Sequence, residues 1–109
     1  MTNITIFRNQ NAEICGFIAE DHGDPIVCAA VSALTLNAVN SIEAFTDEDL
    51  VYEYNEEDGG SLMVELPEIK KGGHNGDANL LLNSMLLGLQ WFDHENAKHI
   101  NIIDEEVQQ

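Results

Sequence analysis

Asp24-Pro25-Ile26-Val27-Cys28-Ala29-Ala30-Val31-Ser32 carries a helix-start signal and a cysteine in its first turn. Asp24 is a favoured N-cap, because its carboxylate accepts hydrogen bonds from N–H groups that the helix leaves without partners. Pro25 suits the first helical position, where its missing N–H costs nothing and its fixed φ is already helical. With Asp24 as the cap, Cys28 is the fourth helical residue and lies near the positive end of the helix dipole. A thiol so placed ionises below its free pKa of about 8.5, and the thiolate is the nucleophilic form. His22 lies in the loop just before, within Ala19-Glu20-Asp21-His22-Gly23. A cysteine at a helix start with a histidine beside it has the parts of a cysteine hydrolase. The plainer alternative is a buried structural cysteine, since free cysteine is among the most buried residue types.

Downstream of the cap, the spacing predicts a helix from Pro25 to Phe45. Val27, Val31, Leu34, Ala38, Ile42 and Phe45 form its core stripe. Cys28, Ser32 and Thr35 fall on an adjoining face. Ser32 sits one turn after Cys28, where its hydroxyl serves either a substrate or its own helix carbonyl.

Upstream, residues 2–7 alternate polar and apolar as a half-buried strand, and Ala12 to Ile18 reads as its antiparallel partner. Cys15 in that second strand reads as a buried apolar residue. Beyond the helix, Val51–Tyr54 and Leu62–Leu66 flank Asn55-Glu56-Glu57-Asp58-Gly59-Gly60 as a hairpin. Gly59 and Gly60 supply the positive φ of the reversal. Pro67–Gly76 reads as an exposed linker with His74 on the surface. A second helix is expected from Asp77, as its N-cap, to His94. Leu81, Met85, Leu89 and Phe92 form one row of it, Leu82 and Leu86 another, and Leu80 and Leu87 widen the apolar surface. Residues 99–104 read as a last strand.

The order strand-strand-helix-strand-strand-helix-strand predicts one α+β domain over residues 1–109. It has two layers: an antiparallel or mixed sheet, and two helices on one face. The chain has 109 residues, enough for one core. No run of 18 apolar residues and no signal-peptide pattern are present, so no membrane span is expected. Two cysteines without a dense framework fit a reducing cytoplasm. Twenty acidic residues against four basic ones give a net charge of −16. That charge repels phosphate backbones and disfavours direct nucleic-acid binding, and it attracts basic partners.

The run Gly23 to Leu34, followed by Asn40-Ser41-Ile42-Glu43, resembles the core motif of the ribosomal-processing cysteine protease family. So do Glu56-Glu57-Asp58-Gly59-Gly60-Ser61-Leu62-Met63-Val64-Glu65 and the leucine-rich helix after it. The resemblance implies a small bacterial homodimer that removes an N-terminal extension from a large-subunit ribosomal protein, with Cys28 as nucleophile. The family places its histidine in a Gly-His-Ala motif; the matching place here reads Gly16-Phe17-Ile18, with the following loop one residue shorter. Pro25 also stands where the family tends to have aspartate.

Two function classes follow. In the first, Cys28 attacks the scissile carbonyl, His22 shuttles the proton, N–H groups at the helix start hold the oxyanion, and Gly23, Asp24 and Ser32 contact the substrate. In the second, an inactive member uses the acidic surface to bind a basic ribosomal protein or peptide. A metal site from Cys15, His22 and Cys28 lacks Cys-x-x-Cys spacing and a fourth ligand. No cofactor is indicated.

Overall fold

Alternation at the start of the chain turns Thr2, Ile4 and Ile6 inward and builds an interior strand of a five-stranded sheet. The computed structural model describes residues 2–20, 24–56, 60–96 and 100–107. β1 (Thr2–Arg8) pairs antiparallel with β2 (Ile14–Glu20). β2 pairs antiparallel with β4 (Ser61–Glu65), and β4 with the edge strand β3 (Val51–Asn55). On the other side β1 pairs with β5 (Ile100–Glu106) in parallel. The order is β3-β4-β2-β1-β5, so the sheet is mixed.

The β1–β2 turn is held by buried Asn9. Its Oδ1 accepts from the N–H groups of Asn11 and Glu13 at 2.8 and 3.1 Å, while Nδ2 donates to the Ile69 carbonyl at 2.8 Å. One polar side chain thus satisfies three backbone groups that would otherwise be left unpaired.

α1 (Pro25–Phe45) has the predicted bounds but a shifted stripe. Val27, Val31, Thr35, Ala38, Val39 and Ile42 are buried. Leu34 is only half-buried, and Phe45 in the last turn is exposed. Steps of four keep Thr35 and Val39 on the inner face. Thr35 is admitted there because its hydroxyl donates to the Val31 carbonyl at 2.8 Å. By length and composition alone α1 would also suit a membrane span. Here its apolar stripe packs into the core, and its flank packs on α3.

The linker contains a short helix not expected from the sequence, α2 (Pro67–Lys70). Pro67 starts it, and Gly72, at φ 103°, ends the turn that follows. α3 (Gly76–Asn96) is capped by Asn75 rather than Asp77: the Ala78 N–H donates to Asn75 Oδ1 at 3.1 Å. Asp77 falls in the first turn, where the helix dipole also favours a carboxylate. Ala78, Leu82, Met85, Leu86 and Leu89 face the core. Gly88 lets Leu34 of α1 approach closely, since a Cβ there would lie 2.9 Å from Leu34 Cδ2. Asn79 ties α3 to β2, accepting from the Ile14 N–H at 3.1 Å and donating to the Ile14 carbonyl at 3.3 Å. The two-layer α+β arrangement is therefore as expected, with one helix added.

Candidate active site

The site is organised by the first turn of α1. Asp24 has the extended backbone of a cap (φ −58°, ψ 132°), and its Oδ1 accepts from the Ile26 N–H at 2.8 Å. Its carbonyl accepts from the Cys28 N–H at 2.9 Å, which fixes the cysteine's backbone. Cys28 is half-buried and opens on a cleft of about 40 Å³ between α1, the end of β2 and the β3–β4 hairpin.

α1 lines the cleft with Cys28, Val31, Ser32, Thr35 and Leu36. β2 contributes Ala19, and the hairpin contributes Tyr54, Gly60, Ser61 and Leu62. Ala19, Val31 and Leu62 are buried and give the cleft an apolar base, while Ser32 supplies a hydroxyl. Gly60 adopts φ 102°, a conformation that suits glycine, and passes close to the Tyr54 hydroxyl. A thiol beside apolar and hydroxyl-bearing walls is suited to nucleophilic attack on a peptide carbonyl held in the cleft.

The sequence candidates distribute as follows. Cys28 and Ser32 line the same cleft, one helical turn apart. Asp24 is exposed and acts as the helix cap. His22 and Gly23 lie outside the described residues. The helix-start N–H groups expected to hold an oxyanion are in part committed, because those of Ile26 and Cys28 both donate to Asp24. Ala19, Tyr54, Gly60, Ser61 and Leu62 were not singled out by the sequence. Their place depends on strand register, and the one local signal was Gly60 after the acidic hairpin loop.

Phe17 does not line the cleft. It is fully buried at mid-β2, opposite Ile6 of β1 and Val64 of β4. Ala19, two residues on and hence on the same strand face, is the β2 residue that reaches the site.

Cys15 is buried elsewhere, in a hollow shared with Phe7, Ile18 and Met63 that has no lining residue in common with the cleft. Its thiol donates to the Phe7 carbonyl at 3.5 Å. Burial pushes that thiol above its usual pKa, partly opposed by the charge of Lys70. The two cysteines therefore do not share a site, and among the described residues no group of three or more metal-ligating side chains forms.

The family described as cysteine protease Prp matches residues 1–101. The ribosomal processing cysteine protease Prp of Staphylococcus aureus is 29% identical over 110 aligned positions, covering 94% of this chain and 97% of its own. The Bacillus subtilis protein of the same name is 27% identical, covering 94% and 96%. Among solved structures, the essential ribosomal processing protease Prp from S. aureus with a covalently linked product peptide superposes with a TM-score of 0.81. It is 27% identical, with 95% of this chain and 99% of that one covered. A Streptococcus mutans protein gives 0.84 at 26% identity, covering 98% and 96%. The family model spans nearly the whole chain, and fold and length agree with the relatives: the chain belongs to the cysteine protease Prp family.

Proposed function

We propose that this protein is a cytoplasmic cysteine endopeptidase that removes the N-terminal extension of a large-subunit ribosomal protein. Cys28 is the nucleophile and His22 its base. The observation that supports this most directly is the placement of Cys28 in the first turn of α1, opening on a cleft walled by a β-hairpin. Sequence position supports His22, the histidine nearest to Cys28 in the chain, six residues before it.

In the proposed reaction the imidazole removes the thiol proton and the sulfur attacks the scissile carbonyl carbon. The imidazolium then protonates the leaving amine, which releases the mature protein and leaves the extension as a thioester on Cys28. Water, deprotonated by the same imidazole, hydrolyses the thioester and restores the thiol. With the Ile26 and Cys28 N–H groups occupied, the hydroxyl of Ser32 is the cleft donor best placed to hold a substrate carbonyl. Two copies pair in this reading, through the outer face of α3 where Leu80, Leu87 and Trp91 are exposed.

The test is cleavage of the extended ribosomal protein of the same organism. Cys28→Ala should abolish it, and His22→Ala should slow it by about 10²–10⁴-fold. Cleavage surviving in Cys28→Ala overturns the assignment. Binding without cleavage by the parent protein would instead make it an acidic binding module. Sedimentation at micromolar concentration should give a dimer.

A further inference from the structure

The helices cover one face of the sheet and leave the other open. Strand register places Glu53, Met63, Ile18, Thr5 and Ile103 in one row across that open face, from β3 to β5. Met63 and Ile103 are 45% and 40% exposed. The next row toward the catalytic end carries Ser61 and Glu20 side by side.

Two hollows lie along these rows, and the nearer one meets the Cys28 cleft of the opposite face at Ser61, where β4 begins. Ser61 lines the Cys28 cleft and also a groove of about 340 Å³ with Glu20, Glu53 and Met63. Ile18 and Met63 line that groove and then a further hollow of about 260 Å³ with Phe7 and Val107. The further hollow exists because Gly16 at its floor carries no side chain; a Cβ there would meet the Val64 carbonyl oxygen at 2.6 Å.

We propose that the open sheet face is an exosite reached from the Cys28 cleft around the Ser61 end of β4, which holds an extended, lysine- or arginine-bearing segment of the protein substrate. This rests on the peptidase reading above. From Ser61 to Glu65 the track runs about 13 Å, the length of four extended residues. Its chemistry changes along the way. The exposed carboxylates of Glu20 and Glu53 come first and select cationic side chains. The Phe7–Ile18–Met63 hollow follows and takes one apolar side chain. Lys70 closes the far end, bridged to Glu65 at 2.7 Å. A basic occupant complements a chain of net charge −16, whereas a second copy would bring its own carboxylates to this face.

The experiment compares two synthetic peptides from the ribosomal substrate, using the Cys28→Ala protein and fluorescence anisotropy. The short peptide spans only the scissile bond, and the long one adds the flanking basic residues. The parent surface should bind the long peptide more tightly, with the advantage lost at high salt. The double variant Glu20→Lys/Glu53→Lys should weaken the long peptide roughly tenfold and leave the short one unchanged. In the active protein the same change should appear in KM with kcat preserved, and Met63→Ser should act the same way. Equal binding of both peptides, or equal loss of both in the double variant, overturns the exosite. So does a change in sedimentation of the double variant, which would make this face a contact between copies. If the parent protein cleaves nothing but the long peptide still binds with sensitivity to Glu20 and Glu53, the exosite stands and the peptidase reading falls.

Discussion

Placing histidine at position 17 separates two ideas of where the general base belongs. Phe17 is 0% exposed, with Ile6 and Val64 beside it on neighbouring strands. Fully burying a phenylalanine stabilises a fold by about 1.5–3 kcal/mol, and Phe17→His forfeits most of this. Imidazole nitrogens without partners in that core add about 1–3 kcal/mol of desolvation cost. The sum, roughly 3–5 kcal/mol, is a large share of the ~5–15 kcal/mol that holds a domain together. At about 4 °C or more per kcal/mol for a chain of this size, the melting temperature should fall by at least ~12 °C. Calorimetry measures that loss, and the cleavage assay run below the new transition measures activity. The expected result is a destabilised protein with no gain in rate, because the position faces the core and Ala19 is the β2 residue that reaches the cleft. A Phe17→His protein of unchanged stability that cleaves faster would refute the reasoning.

Asn79→Ala should cost about 2 kcal/mol in urea unfolding, because it strands the buried N–H and carbonyl of Ile14. Gly16→Ala should destabilise by about 1–3 kcal/mol, since its Cβ meets a backbone oxygen of β4 that cannot swing aside. Iodoacetamide labelling at pH 8, read by mass spectrometry, should modify Cys28 well before Cys15, whose thiol is buried and held above its usual pKa. The hydrogen bond from Lys70 to Glu65 raises the lysine pKa above 10.5. Its share of stability is therefore complete below that value and lost as pH rises through the higher folded-state value, so Glu65→Gln should flatten the alkaline limb of a melting-temperature profile.

The parts of this fold that sequence patterns reveal are those set by local chemistry. Asp24-Pro25 marks the start of α1 because cap and N1 preferences act within one turn. The first strand and the hairpin show because alternation with period two is local as well. The cap of α3 lies two residues before the one the pattern predicts, since Asn75 and Asp77 are both acceptable caps and only packing chooses between them. α2 leaves no sequence signature because four residues carry no periodicity. Phe45 shares the spacing of the core stripe yet is exposed, because spacing alone does not report which positions lie beneath a neighbouring element. At the site, the cysteine was legible from its helix start and Ser32 from the helical step. The other wall, Ala19 with Tyr54, Gly60 and Ser61, is assembled by pairing between distant strands, which leaves no local trace.

The parallel pairing of β1 with β5 sets residues almost one hundred positions apart side by side, as Thr2 with Ile100. A contact of that span must close a large loop before it yields any stabilisation, so β5 should dock late, after the rate-limiting step of folding. Until then β1 keeps one edge unpaired, and the amide row from Thr2 to Arg8 is open to strands of other molecules. Removing β5 should consequently yield a species that retains helix but aggregates. In stopped-flow refolding, mutations in β5 should alter the unfolding rate more than the folding rate.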